Sequence, residues 1–140
     1  MSNIPSELIV TYRNAIYRVH APEGIISFYI DKQSPELGRL LRDRNVHSAA
    51  FITAYHPYSV PVTDEENEKA QQALVKEIST RGFRWLAGVG EDAGGDWPAE
   101  PSLLVLGISE QEATELAARF RQNAYVLCGN DAVPRLVLAR

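Results

Sequence analysis

Two helix-start signatures in the second half of the chain constrain its fold more than any other feature. Thr63 and Ser109 are each followed three residues later by a glutamate. In such a capping box the hydroxyl accepts a backbone N–H and the glutamate reaches back to the cap. Apolar residues at helical spacing follow both caps, so the pattern predicts helices over 64–81 and 110–121. Gly82 is then the expected stop of the first helix.

Short apolar runs surround these two helices and predict strands. From Ser48 onward, the predicted strands are 48–55, 83–89, 102–108, 124–128 and 135–139. The resulting order is strand, helix, strand, strand, helix, strand, followed by one more strand. That is the split β-α-β order of ferredoxin-like folds. We therefore expect an α+β two-layer sandwich, with both helices packed on the same face of one main sheet.

The first third of the chain predicts a hairpin and a helix ahead of that core. The runs AIYRVH and IISFYI flank the turn residues 21–24, an arrangement typical of a β-hairpin. Ser34 and Pro35 supply a helix cap and then proline at the first helical position. The periodicity of 6–14 favours a further short helix. No repeat or linker interrupts the chain, so we expect residues 1–140 to form a single domain.

Composition excludes several classes of partner. The net charge is −4 and no Lys/Arg run is present, so we expect no nucleic-acid partner. No apolar stretch approaches the roughly 20 residues that a membrane span needs, so we expect no membrane association. Cys128 is the single cysteine and therefore has no internal disulfide partner. This cysteine usage and the lack of a secretory signal predict a cytoplasmic protein.

The stretch GVGEDAGGDWPAEPS, residues 88–102, joins two predicted strands. An antiparallel connection needs only about two to five residues, and longer loops are usually functional or disordered. Trp97 argues against disorder. The prolines around Glu100 restrict the backbone, so we expect an ordered loop that borders the binding site. The alternative is that Trp97 is a lid over the sheet edge while Glu100 pairs with an arginine.

Two further segments carry polar side chains that could bind a ligand. TAYHPYS, residues 53–59, leaves the end of the predicted central strand, where ligands gather in open α/β sheets. Its alternative role is a stiff crossover. Gln122 and Asn123 follow the last helix, where Asn123 could instead be a left-handed terminal residue. The predicted ligand-binding residues are Tyr55, His56, Ser59, Trp97, Glu100, Ser102, Gln122 and Asn123.

The sequence patterns for a catalytic or metal site are weaker than those for a ligand-binding site. His56 and Ser59 could be a base and a nucleophile, but no G-x-S-x-G elbow accompanies them. Asp92, Asp96 and Glu100 do not have the spacing of a calcium loop. The glycines of 88–95 precede a strand rather than a helix, which excludes a phosphate loop. We expect neither metal nor cofactor and assign no catalytic residue.

Six segments occur in order along the chain: LIVTYRNAIYRV, AAFITAYHPYS, DEEN, GDWPAEPSLLVLGIS, FRQNAYV and DAVPRLVL. Together they resemble a small bacterial family catalogued as domain of unknown function 3293, with WPAEPSLLVLG and RQNA the most specific. The family often has Asn in place of His56. The resemblance implies one intact domain from about Leu8 to Arg140. It implies no activity, cofactor or catalytic residue.

Two functional hypotheses follow. The first is a small-molecule-binding domain of unknown ligand, or an enzyme, with a pocket formed by 55–59, 97–102 and 122–123. The alternative is a protein-interaction module or homodimer that uses Trp97 and a sheet edge as its contact.

Overall fold

The computed structural model describes residues 4–140, which fold into helices and strands. The α-helices in this range are α1 (Ser6–Asn14), α2 (Pro35–Asp43), α3 (Asp64–Thr80) and α4 (Glu110–Arg119). The strands are β1 (Ile16–Ala21), β2 (Gly24–Phe28), β3 (Ala49–Ile52), β4 (Arg84–Glu91), β5 (Glu100–Leu106), β6 (Ala124–Cys128) and β7 (Arg135–Leu138). The protein is therefore a mixed α/β structure. No helix within the described range is long and apolar enough to cross a membrane.

The seven strands form one antiparallel sheet in the order β2-β1-β4-β5-β3-β6-β7. Strand β3 is interior and all four of its residues are buried, as its continuous apolar run predicts. Helix α3 connects β3 to β4 past β5, and α4 connects β5 to β6 past β3. Each helical connection thus skips one strand.

Apolar cores lie on both faces of the sheet. Helices α3 and α4 share one core, in which Ile78 and Leu116 pack with Val105 of β5. Helix α2 contributes Leu37 and Leu40 to the other core, together with the β1–β2 hairpin. Both faces need cover because the central strands are apolar on both sides. The two helices of the second half therefore share a face as expected, whereas α2 lies on the opposite one.

Local capping chemistry explains where the helices begin. Ser109 accepts the Glu112 N–H at 3.1 Å while the Glu112 carboxylate accepts the Ser109 N–H at 3.2 Å, a complete capping box. Thr63 likewise accepts the Glu66 N–H at 3.1 Å. Its hydroxyl, rather than its backbone N–H, donates to the Glu66 carboxylate at 3.2 Å. The first predicted box is therefore only half formed, although the helix begins where predicted.

Strands β4 and β5 reach further than predicted. Gly88 pairs with Ser102, and Gly90 with Glu100, so both ends of the predicted 88–102 connection belong to the sheet. The connection between the strands is reduced to residues 92–99. This extension places Glu100 on a strand, where the neighbouring strand fixes its position.

Candidate functional site

Two adjoining cavities open where α1, the 92–99 loop and the segment after β3 meet. The larger has a volume of about 250 Å³ and the smaller about 80 Å³. We call the pair the cleft. Both cavities are lined by Tyr12, Tyr17, Ser59, Gly90 and Glu100. Trp97 adds to the wall of the larger cavity, and Asn123 to that of the smaller one. Residues far apart in the sequence therefore share one concave surface.

Glu100 lies at the junction of the two cavities, as the first residue of β5. Burial raises the pKa of its carboxyl above the usual range, while the hydrogen bond from Trp97 opposes that rise. Trp97 Nε1 donates to Glu100 Oε2 at 2.9 Å. Within residues 4–140, no hydrogen bond reaches Oε1. One oxygen of a largely desolvated carboxyl is thus left to accept a hydrogen bond from a ligand.

The 92–99 loop is ordered by its own hydrogen bonds. The two carboxylate oxygens of Asp92 accept the N–H groups of Gly94 and Asp96 at 3.1 and 3.0 Å. Gly95 has a φ of 72° and donates its N–H to the Asp92 carbonyl at 3.0 Å. Asp92 therefore stabilises a turn. The turn brings Trp97 back over Glu100.

Three non-glycine residues of the segment after β3 have a positive φ. The φ values of His56, Tyr58 and Ser59 are 47°, 55° and 61°. Such conformations cost of order 1–3 kcal/mol each and cluster at functional sites. The fully buried Asn67 accepts the His56 N–H at 2.8 Å, and the Arg121 carbonyl accepts the Tyr58 N–H at 2.6 Å. These bonds hold the segment in a shape that puts Ser59 in the cleft.

A network of two hydroxyls and one amide lines the smaller cavity. Tyr12 Oη and Ser59 Oγ are 2.5 Å apart. Asn123 Nδ2 donates to both, at 3.0 and 3.4 Å. Only one of the two hydroxyl hydrogens can lie between the oxygens, so the other remains free for a third acceptor. The cleft therefore offers a hydroxyl donor beside the Glu100 acceptor.

The side chain of Asn123 is oriented by contacts outside α4. Asn123 is not the left-handed residue that ends this helix. The residue with positive φ at the end of α4 is Arg121, at 56°. Arg140 donates to Asn123 Oδ1 at 3.4 Å, and its guanidinium lies 4.2 Å from the centroid of the Tyr58 ring. The C-terminal residue thus turns the amide so that its N–H₂ group faces the hydroxyls.

Six of the eight predicted residues line the cleft: Ser59, Trp97, Glu100, Ser102, Gln122 and Asn123. Two of these six bond to backbone. Ser102 donates to the Glu100 carbonyl at 3.0 Å, and Gln122 donates to the Tyr55 carbonyl at 3.1 Å. These two side chains shape the wall and are less available for a ligand.

Tyr55 and His56 line neither cavity of the cleft, although the sequence predicts both as ligand-binding residues. Tyr55 borders a groove on α3. The His56 ring packs edge-on against Trp97 with their centroids 5.7 Å apart, so the two loops do meet. Val62 N–H donates to His56 Nδ1 at 3.2 Å, which leaves the ring proton on Nε2. His56 supports Trp97 from behind.

His56 and Ser59 are not joined as base and nucleophile. The side-chain partners of the Ser59 hydroxyl are Tyr12 and Asn123. An activated serine needs its base within hydrogen-bond reach. The geometry therefore does not assemble the pair that the sequence spacing allows.

Sequence reasoning missed Tyr12 and Tyr17. Tyr12 lies on α1, and Tyr17 on β1 donates its hydroxyl to the Tyr12 carbonyl at 2.6 Å. Burial raises the pKa of Tyr17. Its ring stacks on Phe28 and meets Phe51 edge-on. A tyrosine on an apolar stripe has the pattern of a core residue, so the sequence carried no signal for this role.

Metal removal is expected to leave stability unchanged. No group of three or more His, Cys, Asp or Glu side chains in the described part of the chain is arranged to hold a metal ion. Both oxygens of Asp92 already bind backbone N–H groups. We expect the same Tm with EDTA, Mg²⁺ or Ca²⁺, measured by differential scanning fluorimetry. A reproducible rise with Ca²⁺ would show instead that the acidic loop binds the ion.

The chain matches a family described as "Protein of unknown function (DUF3293)" over residues 52–125, more than half of its length. It belongs to this family. The DUF3293 match contains Ser59, Trp97, Glu100 and the residues of the 92–99 loop, and it ends within β6. Tyr12 lies outside the matched segment. No curated protein and no solved structure is significantly similar to the chain.

Proposed function

We propose that this protein is a small-molecule-binding domain and that the cleft is its ligand site. The observation that carries the proposal is the carboxyl of Glu100, desolvated at the junction of two cavities with Oε1 unengaged. Burying such a group costs free energy unless it is paired. Titratable groups with perturbed pKa values in a cleft are characteristic of binding and active sites.

An enzymatic role would use the same geometry. A carboxyl whose pKa is raised above its usual range is suited to general acid–base chemistry. In the Tyr12–Ser59 pair, the hydroxyl hydrogen that does not lie between the two oxygens would then orient a substrate carbonyl or hydroxyl. The proposal therefore covers two cases: a cleft that only binds its ligand, and a cleft that also transfers a proton to or from it.

We further infer that β3 to β6 with α3 and α4 form a two-layer, ferredoxin-like core. The neighbour order β4-β5-β3-β6, with each helical connection skipping one strand, supports this assignment. The hairpin with α1 and α2 would then be an addition that supplies one wall of the cleft.

A bacterial cytoplasmic location is part of the same proposal. Burial of Cys128, which raises the pKa of its thiol to about 12, supports a structural thiol in a reducing compartment.

Trp97→Ala is expected to weaken ligand binding more than it lowers stability. The substitution removes one wall of the larger cavity and the donor to Glu100, but Trp97 lies on a loop outside both cores. A thermal-shift library of metabolites would be screened on both proteins. A ligand at a hundredfold excess over its Kd stabilises by about 2.7 kcal/mol, which such a screen detects.

Trp85→Ala is the matched control, since Trp85 is 37% exposed on β4 and lines neither cavity of the cleft. It should retain every ligand that stabilises the wild type. If Trp97→Ala simply unfolded, or if both variants kept the same ligands, the proposed site would be wrong.

The alternative function, an interaction module or homodimer, has one observation in its favour. Strand β2 is an edge of the sheet, and its Ile25 is 64% exposed. Trp97, the contact that this alternative requires, hydrogen-bonds inward to Glu100 instead. Sedimentation equilibrium over a hundredfold concentration range tests the alternative. A dimer abolished by Ile25→Lys would support the edge as an interface.

A further inference from the structure

The charge of the cleft has one sign. The larger cavity is lined by the carboxylates Glu91, Asp92, Asp96 and Glu100. No Lys, Arg or His lines either cavity within residues 4–140. Of the four carboxylates, only Glu91 has an ion-pair partner in the described chain, Arg18 at 2.5 Å. An anionic ligand would therefore enter against uncompensated negative charge.

Aromatic rings form much of the remaining wall. Tyr12, Tyr17 and Trp97 all border the larger cavity. Such rings attract organic cations through their quadrupoles. Arg140 is the basic residue next to the hydroxyl network. Its side chain is stacked on Tyr58 and lines neither cavity. The aromatic walls and the half-buried carboxyl of Glu100 are independent features that favour the same ligand charge.

The size of the cavity limits the ligand further. A volume of about 250 Å³ is below the range of about 300–1,000 Å³ typical of pockets for drug-sized ligands. The walls also include the apolar side chains of Leu8 and Ala15 on the α1 side. A short aliphatic body would contact these, with its charged end directed at Glu100.

We infer that the cleft binds a small organic cation, an alkylammonium or alkylguanidinium, through the carboxylate of Glu100 and the rings of Tyr12 and Trp97. The inference rests on the proposed binding function and specifies its ligand class. A buried carboxylate is costly when unpaired, and an ammonium or guanidinium group supplies the missing charge and hydrogen bonds. The free hydroxyl hydrogen of the Tyr12–Ser59 pair then remains for a polar group on the same ligand.

A four-carbon series tests the charge requirement at constant size. ¹⁵N-labelled protein would be titrated at fixed ionic strength with n-butylammonium, n-butylguanidinium, 1-butanol and butyrate. The signals followed are Trp97 Nε1–H and the Gly90 amide, both of which border the larger cavity. We expect saturable shifts with the two cations, a Kd at least tenfold higher for butanol, and no binding of butyrate.

Glu100→Gln keeps the shape of the side chain and removes its charge. We expect it to raise the Kd of both cations at least tenfold. Glu115→Gln, on the exposed side of α4 away from the cleft, makes the same change in net charge and should leave the Kd within twofold. Cation affinity unaffected by Glu100→Gln would overturn the inference.

The remaining outcomes distinguish a failure of this inference from a failure of the proposed binding function on which it rests. If butanol or butyrate shifts the Trp97 and Gly90 signals at least as strongly as the cations, the cleft binds small molecules but the charge class is wrong. If neither these four compounds nor a general metabolite library shifts the two signals, the proposed binding function and the inference are both wrong.

Discussion

Gly88→Ala is expected to destabilise the protein by about 3 kcal/mol, at the upper end of overpacking substitutions. A Cβ atom at this position would overlap the carbonyl oxygen of Arg18 and lie 2.8 Å from the Phe51 ring. The oxygen belongs to the backbone of β1, and β4 is paired on both sides, so neither strand can move away. Phe51 is buried in one of the two cores, where its ring packs edge-on against Tyr17 and Phe28.

Gly90→Ala is the matched control two residues along the same strand. Its Cβ would lie 3.7 Å from the nearest atom of the Tyr17 ring, an ordinary contact. We expect a change below about 1 kcal/mol in its free energy of unfolding. Urea unfolding followed by circular dichroism measures both variants. Equal stability of the two would show that β1 and β4 are not as closely paired as the register indicates. Because Gly90 borders both cavities, its added methyl group should still weaken cation binding.

Local signals in the sequence predicted much of the fold. The caps at Ser34, Thr63 and Ser109 each act within one helical turn, so the residues alone determine where α2, α3 and α4 begin. The placement of α2 on the face opposite α3 and α4 was not predictable in this way. It depends on which strands the hairpin joins, and strand pairing is a contact between distant segments.

The candidate site was predictable where its residues lie in a segment of unusual composition. Trp97 and Glu100 stood out because prolines and glycines surround them. Tyr12 did not, since it meets Ser59 and Asn123 across 47 and 111 residues of sequence. Tyr55 lies outside the cleft because positive φ values just after it redirect the chain. These occur at residues other than glycine, which carry no such signal.

Glu100→Gln is expected to raise stability at neutral pH and to have no effect near pH 4. The pKa of Glu100 is raised from an ordinary value of 4.5 in the folded protein. The folded state therefore binds this proton more tightly than the unfolded state, and stability falls as pH rises from 4.5 through the folded pKa. Each tenfold difference in proton affinity is worth about 1.4 kcal/mol. A glutamine never ionises, so it avoids this cost while its amide oxygen can still accept the Trp97 N–H.

The measurement is the Tm of the two proteins at pH 4 and pH 7, with Glu115→Gln as the control for net charge. The other titratable groups that line the larger cavity with Glu100 are Tyr12, Tyr17, Glu91, Asp92 and Asp96, and none of them supplies a positive charge. Saturating n-butylammonium should reverse the order at pH 7, because the bound cation stabilises ionised Glu100 and cannot do so for glutamine. A variant that is less stable at both pH values would instead assign the carboxylate a structural role as the acceptor of the Trp97 hydrogen bond. The sign of the change in Tm at pH 7, with and without the cation, thus distinguishes a carboxyl that serves ligand binding from one that stabilises the fold.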